Sequence, residues 1–252
     1  MMKKTLTILT AFCLLCGCAP AEVEEQPVEE EQAYACRYID FYDYNTPVPA
    51  SEPIQDMYFE DTIFGGDSRM GSLYLFSDLR DRGAEIHYVT SLSLWRIYDM
   101  ELETAENNLY DILINTDRSS IYMLIGINEI RSSDFTAWAE EYQTIVQELR
   151  NAHPQCDIYL ILAYHPEEIS GLDANELSAH LKMENDGLIN VAQMEHVYYL
   201  NPDEALTGSD GIVMSDIVWD GLHLNETGSQ MFADFIATHV VRKDVYVKEV
   251  CE

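Results

Sequence analysis

The chain has 252 residues, and its 45 acidic side chains against 14 basic ones give a formal net charge of -31. This balance excludes nucleic acid as a partner and excludes electrostatic attachment to an anionic membrane, because phosphate recognition needs clustered lysine and arginine. Six cysteines, of which three lie at or before residue 18, allow at most one bridge in the remainder, so the chain is not a disulfide scaffold.

The amino-terminal residues are typical of an export signal. Lys3 and Lys4 precede an apolar run that is too short to cross a bilayer permanently. Leu15 to Cys18 resembles the lipobox of bacterial lipoproteins, which predicts that residues 1–17 are removed and that Cys18 carries lipid. The anchor would then be the only membrane attachment of an extracytoplasmic protein. A plain secretory signal with an incidental cysteine is the alternative.

A tether and an arm are predicted over residues 18–50, ahead of a single domain over residues 51–252. Ala19 to Gln32 is acidic and has too few apolar side chains to repay the entropy of ordering, so it is predicted to be unstructured. Tyr34 to Ser51 is rich in aromatic residues and is expected to lie as an arm against the domain.

Short apolar strands alternate with amphipathic helices along the domain. The clearest helical pattern runs from Asp134, a ready N-cap, to Ala152. Continuous apolar strands between helices predict a three-layer α/β/α domain with a mainly parallel, five-stranded sheet, whose ligands bind at the carboxyl ends of the strands. The predicted strands are a first one comprising residues 57–59 and ending at 63–64, then 86–89, 121–127, 158–164 and 196–200.

A glycine-rich turn, Gly65 to Ser72, follows the first predicted strand. The spacing of Gly66 and Gly71 matches a phosphate-binding P-loop, but Ser72 stands where that motif needs a lysine, and no G-x-G-x-x-G can be drawn. What remains is Ser68 on a tight turn at the start of a helix, where backbone amides can stabilise a developing anion. Ser68 is therefore a candidate nucleophile, although a serine at such a turn is more often a helix cap.

A candidate base lies in the sequence Asp220-Gly221-Leu222-His223, in the loop before the last predicted helix, whose start is expected at Asn225 to Thr227. A carboxylate three residues before an imidazole can turn back, accept the Nδ1 proton and leave Nε2 facing a hydroxyl. A polar turn that merely caps the helix is the alternative.

A third polar site follows the third predicted strand, in Gly126-Ile127-Asn128-Glu129. The Asn128 amide can donate to a substrate oxyanion at the end of the strand, or it can simply cap the next turn. Three such sites at the expected edge of one sheet favour catalysis over three separate caps.

The segments GGDSRM, GINE and DGLH, in this order, resemble those of the SGNH or GDSL-type serine hydrolase superfamily over about residues 57–241. The chain departs from the pattern at Glu129, where the family usually has aspartate. It also lacks the second-block glycine, so an amide within Ser91 to Leu94 would replace it, with Ser93 as the candidate. The resemblance implies a flavodoxin-like, three-layer α/β/α fold. It also implies Ser68 as nucleophile, His223 as general base and acid, Asp220 as the residue that orients His223, and Asn128 with the Ser68 amide as oxyanion donors.

The expected chemistry is hydrolysis of an ester through an acyl-enzyme, without a metal or cofactor. The remaining histidines show no paired metal-ligand spacing, and His165 lacks a carboxylate at the Asp220 spacing that would make it the base. The expected substrate is a small-molecule or glycan ester, with O-acetylated carbohydrate preferred. Two alternatives stay open, an acyltransferase to cell-envelope glycans and a catalytically inactive glycan-binding lipoprotein, and the sequence leaves the oligomeric state open.

Overall fold

The computed structural model describes residues 36–132 and 134–251. The predicted signal peptide, the lipidation site Cys18 and the acidic part of the tether lie outside these residues. The chain divides into a large compact unit, Tyr38–Lys248, and a small one to which the described residues 36–37 and 249–251 belong. Among the described helices, none combines the length and the apolar character that a membrane span requires.

The elements alternate between strands and helices. The strands are β1 (Cys36–Asp40), β2 (Thr62–Gly66), β3 (Glu85–Tyr88), β4 (Ser120–Leu124), β5 (Asp157–Ile161), β6 (Tyr198–Leu200) and β7 (Val247–Cys251). The α-helices are α1 (Ser68–Phe76), α2 (Leu109–Ile114), α3 (Thr136–Ala152), α4 (Ala174–Glu195), α5 (Asp203–Leu206), α6 (Glu226–Thr238) and α7 (Lys243–Tyr246).

The main sheet has five strands in the order β3-β2-β4-β5-β6, and every neighbouring pair is parallel. Alternate side chains of β4 enter different cores. Ile121 and Met123 pack with residues of α2, α3 and α4, whereas Tyr122 and Leu124 pack with residues of α1 and α6. The sheet is thus covered on both faces, which confirms the predicted three-layer α/β/α fold with a parallel five-stranded sheet.

The aromatic segment before β2 contacts the edge of this sheet. Tyr42 is buried, and its ring packs edge-to-face against Tyr198 of β6 at a centroid distance of 5.1 Å. The Val48 amide donates to the Tyr199 carbonyl at 3.0 Å. These contacts lie within the unit Tyr38–Lys248, and the predicted domain boundary at residue 50 stays a prediction.

The prediction that residues 57–59 belong to the first strand is wrong. They form part of a 3-10 helix, Asp56–Asp61, and the strand begins only at Thr62. The Thr62 hydroxyl donates to the Tyr58 carbonyl at 2.8 Å, and the Phe59 side chain is fully buried, so packing of the aromatic ring favours the tight turn over an extended backbone.

The predicted strand 196–200 begins only at Tyr198, because His196 ends α4 in a left-handed conformation. Two other predicted strands end before their apolar runs do, because a strand needs a neighbour to pair with. β4 ends at Leu124, which pairs with Gly66, the last residue of β2. β5 ends at Ile161 opposite Leu200, the end of β6.

Helix α3 begins at Thr136 rather than after Asp134, although the Asp134 carboxylate still accepts a hydrogen bond from the Thr136 amide at 2.8 Å.

Candidate active site

Ser68 is the first residue of α1, directly after the carboxyl end of β2. Asp67 is the N-cap of this helix, and its Oδ1 accepts from the Arg69 amide at 3.0 Å. The Asp67 amide in turn donates to the Leu124 carbonyl of β4 at 3.0 Å. The turn is therefore fixed to two neighbouring strands, and the Ser68 hydroxyl is held where ligands of parallel sheets bind.

Beneath this turn lies a buried ion pair. The Arg69 guanidinium binds Asp67 through two bonds, Nε to Oδ1 at 3.0 Å and Nη2 to Oδ2 at 2.7 Å. Burial acts to lower the pKa of Arg69, but the adjacent Asp67 carboxylate outweighs it and raises that pKa. Breaking such a pair on one side would leave an uncompensated buried charge, so the pair fixes the geometry of the Ser68 turn.

His223 connects Ser68 to Asp220. Its Nε2 lies 2.9 Å from the Ser68 Oγ, and its Nδ1 lies 2.8 Å from Asp220 Oδ2. With the Nδ1 proton donated to Asp220, Nε2 is left to accept from the serine hydroxyl. Burial acts to raise the pKa of Asp220, but hydrogen bonds from the His223 amide and ring lower it, so the carboxylate is ionised and available to the imidazole.

The Asp220–His223 loop is held by its own backbone. Gly221 has φ +81°, a left-handed conformation that brings the Asp220 carboxylate back onto His223. The Asp220 Oδ1 accepts from the His223 amide at 2.8 Å, and the Trp219 amide donates to the His223 carbonyl at 2.8 Å. The Tyr164 hydroxyl donates to the Leu222 carbonyl at 2.6 Å, which ties the loop to the chain after β5.

Asn128 lies in a 3-10 turn, Ile127–Glu129, after β4. Its Nδ2 donates to the Leu92 carbonyl at 2.8 Å. A side-chain amide carries two N–H donors, so one remains for a substrate oxygen. Asn128 and Asp220 both line a pocket of about 290 Å³, which brings the two predicted residues to one cleft.

The loop expected to replace the missing glycine is held by Glu129. Its Oε1 accepts from the Leu94 amide at 2.6 Å, and the Leu92 amide donates to the Val89 carbonyl at 3.3 Å. These bonds engage two of the four candidate amides and narrow the choice to Ser91 and Ser93. Burial raises the pKa of Glu129 even though Ser93 and Leu94 donate to it.

The sequence patterns did not predict the buried carboxylate of Glu184, which lies near Asp67 and Arg69. Glu184 of α4 is fully buried, neither of its oxygens has a hydrogen-bond partner among the described residues, and burial raises its pKa to about 8. The charges of Arg69 and Asp67 act on it in opposite directions. A signal was present in the sequence, because Glu184 falls on the apolar stripe of α4, between Leu181 and Leu188.

His165 does not enter the triad. Its Nε2 lies 2.8 Å from the Ser178 hydroxyl of α4, and its Nδ1 lies 2.8 Å from the Pro166 carbonyl. Within the described part of the chain, no group of three or more potential ligands has the geometry of a metal site.

Fold and geometry together define a class of protein. A hydroxyl at a strand-to-helix turn, bonded to an imidazole that is itself bonded to a carboxylate, is the arrangement of the serine hydrolases, here at the carboxyl edge of a parallel sheet.

Comparison with known sequences narrows this class to a family. The model of the GDSL-like Lipase/Acylhydrolase family matches residues 65–231, more than half of the chain, and the chain belongs to this family. The match begins at Gly65 and includes Ser68, Asn128, Asp220 and His223. No curated protein matches the chain at a significant level.

Solved structures share the fold at low sequence identity. A Bacteroides fragilis protein described as an acylhydrolase is 14% identical with a TM-score of 0.54, covering 77% of this chain and 89% of its own. A GDSL-like lipase from Bacteroides thetaiotaomicron is 10% identical with a TM-score of 0.53, covering 75% and 88%. The salicylyl-acyltransferase SsfX3 from a tetracycline biosynthetic pathway is 14% identical with a TM-score of 0.50, covering 69% and 52%. At these identities the likeness is one of fold.

Proposed function

We propose that the protein is a serine esterase that works through an acyl-enzyme. The observation that carries the proposal is the continuous chain of contacts from Ser68 Oγ to His223 Nε2, at 2.9 Å, and from His223 Nδ1 to Asp220 Oδ2, at 2.8 Å. A polar turn that only capped a helix would not need its imidazole directed at a hydroxyl from a residue 155 positions away.

These contacts support an acyl-enzyme mechanism. His223 takes the Ser68 proton as the oxygen attacks the ester carbonyl, and the Asp220 carboxylate stabilises the imidazolium that forms. The oxyanion is held by the Asn128 side-chain amide, the Ser68 amide and an amide of the loop that Glu129 holds, of which Ser93 is the candidate. The tetrahedral intermediate then collapses as the ester C–O bond breaks, and His223 gives its proton to the departing alcohol, which leaves Ser68 acylated. Water, deprotonated by His223, attacks this acyl-enzyme, which releases the acid and regenerates the serine.

The substrate we favour is an O-acetylated carbohydrate. The pocket beside Asn128 and Asp220 is small, at about 290 Å³, and its lining is mostly polar, which suits a sugar better than a long acyl chain. Export and lipid attachment at Cys18 are part of the proposal, since an enzyme outside the cytoplasm meets envelope or environmental glycans. Membrane fractionation of the wild type and of Cys18→Ser tests the anchor, because the variant should lose its membrane association.

A fluorophosphonate probe tests the nucleophile. We expect rapid labelling of the wild-type protein, loss of labelling in Ser68→Ala, and labelling at least a hundredfold slower in His223→Ala, because the serine then lacks its base. Ser209→Ala, which removes an exposed serine of another loop, serves as the matched control and should label like the wild type.

The same protein is then given acetylated saccharides, with and without an unacetylated acceptor glycan. Release of acetate that depends on Ser68 supports the esterase. Acetyl transfer to the acceptor in preference to water would instead identify an acyltransferase. A folded wild-type protein that neither labels nor releases acetate would contradict the proposal and support a glycan-binding protein without turnover.

A further inference from the structure

A single cationic side chain, Arg131, lines the pocket that contains Asn128 and Asp220. It follows the 3-10 turn of Asn128 by two residues, and this turn is held in place because His180 Nδ1 donates to the Ile130 carbonyl at 2.8 Å. Arg131 Nε donates to the carbonyl of Ser170, which also lines this pocket, at 2.9 Å. The guanidinium is therefore anchored through Nε, which leaves the two Nη groups as its remaining donors.

Arg131 belongs to a minority of the described basic side chains that no carboxylate pairs with, and it shares this property with Arg80 and Lys248. Acidic side chains outnumber basic ones by 45 to 14, so most cations find a partner. Within the described residues, Arg131 makes no ion pair with a carboxylate. Basic side chains that do make such ion pairs include Arg69, Arg82, Arg96, Arg118, Arg150, Lys182, Arg242 and Lys243.

The carboxylates of the pocket do not cancel this charge by direct contact. Asp220 is engaged with the ring and amide of His223. Glu168 is exposed, lines the same pocket and makes no ion pair with Arg131. An anion bound by Arg131 would gain two parallel N–H bonds from the planar guanidinium, and the nearby Glu168 would weaken that binding by repulsion.

We propose that Arg131 forms an anion subsite beside Asn128 and Asp220, which selects esters whose alcohol part carries a carboxylate or phosphate group. The inference rests on the proposed esterase function, because a small acyl group leaves the alcohol part of the ester to occupy this pocket. The substrate class is thereby narrowed from acetylated carbohydrates to acidic ones, with the anionic group close to the acetylated hydroxyl.

The test compares the hydrolysis of matched esters by the purified protein. The probes are a monoacetylated methyl glucoside, the corresponding methyl glucuronide and the corresponding glucoside 6-phosphate. In the wild type, kcat/KM should be higher for an anionic ester than for the neutral one, and the preferred anion identifies the carboxylate or the phosphate. In Arg131→Gln this preference should fall at least tenfold, which corresponds to about 1.4 kcal/mol, mainly through a higher KM.

Three further variants make the test specific. Arg131→Lys should keep part of the preference, because it retains the charge without the planar fork. Glu168→Gln should increase the preference, since it removes the opposing charge. Arg80→Gln is the matched control and should leave the preference unchanged, because Arg80 is another arginine without a carboxylate partner and instead lies over the Tyr74 ring at 4.1 Å.

Two results would overturn the subsite: an unchanged preference in Arg131→Gln, or an equal loss on neutral and anionic esters, which indicates that Arg131 only supports the loop through Ser170. Activity on the neutral ester in either case leaves the esterase function intact. If the wild type hydrolyses no ester, calorimetric titration of Ser68→Ala with methyl glucuronide, methyl glucoside and glucose 6-phosphate still tests the subsite. Binding of neither anion in preference to the neutral sugar, or a preference that persists when Arg131→Gln is added, rejects it.

Discussion

Glu184 gives the most direct test of the physical reasoning about the buried layer below the site. Its side chain is fully buried, and burial raises the pKa of its carboxyl from an ordinary value of 4.5 to about 8. Between these two pH values the folded protein keeps the Glu184 proton, while the unfolded chain loses it. The folded state then binds more protons than the unfolded one, so Glu184 makes the wild type less stable as the pH rises through this window.

The magnitude follows from the two pKa values. Each pH unit between 4.5 and 8 lowers the free energy of unfolding by about 1.4 kcal/mol, which gives about 5 kcal/mol over the window as an upper limit. Below pH 4.5 the carboxyl is protonated in both states, and above pH 8 it is ionised in both, so the loss levels off at either end. Glu184→Gln keeps the size of the side chain and stays neutral at every pH. Its stability relative to the wild type should therefore rise from pH 5 to pH 8.

Urea unfolding at pH 5, 6, 7 and 8, followed by circular dichroism, measures this difference. A constant offset between the two proteins reflects how the amide packs, and only the dependence on pH reports the Glu184 proton. Glu140→Gln removes an exposed carboxylate on α3 and controls for the change in net charge. If the difference between Glu184→Gln and the wild type does not change from pH 5 to pH 8, then Glu184 ionises equally in both states and the burial argument fails.

Other substitutions test neighbouring parts of the structure. Glu129→Asp restores the residue usual in the family, and it should lower kcat by tenfold or more with little change in KM. The reason is that the shorter side chain cannot accept the hydrogen bond from the Leu94 amide and hold this loop in place. Unchanged steady-state kinetics would show that the loop does not stabilise the oxyanion. Gly126→Ala should destabilise the protein by roughly 2 to 5 kcal/mol in urea unfolding, since φ is +147° and the new Cβ would clash with Glu184 Oε1. Glu184→Ala in the same chain should recover part of the loss, and full additivity of the two changes would contradict the clash. Asn185→Leu should lower the melting temperature by roughly 5 to 10 °C, because the Asn185 side chain forms hydrogen bonds of 2.9 Å with both the amide and the carbonyl of the buried Ala163. A melting temperature within 1 to 2 °C of the wild type would mean that these backbone groups find other partners.

The sequence alone was sufficient to predict the layers of the fold and the part of the site that is formed by residues close together in the chain. Continuous apolar strands between amphipathic helices require both faces of a sheet to be covered, and the structure has such a sheet. The contact between Asp220 and His223 joins residues three positions apart, so its geometry depends only on a local turn at Gly221. The start of α6 at Glu226, capped by Asn225, is local in the same way.

Tertiary structure decided what depends on distant parts of the chain. Residues 57–59 form a 3-10 turn because Phe59 is buried there, and β4 stops at Leu124 because its partner β2 stops at Gly66. Neither outcome is written in the local periodicity, since each depends on what the segment packs or pairs with.

The same holds for the rest of the site. The 2.9 Å contact of Ser68 with His223 spans 155 positions, and the bond from Leu94 to Glu129 spans 35. The burial that raises the pKa of Glu184 likewise exists only once α4 covers the sheet near Arg69. Local turns and periodicity depend on neighbours along the chain and can be predicted from them, whereas distances between remote side chains and the desolvation of their charges arise only when the packed layers bring them together.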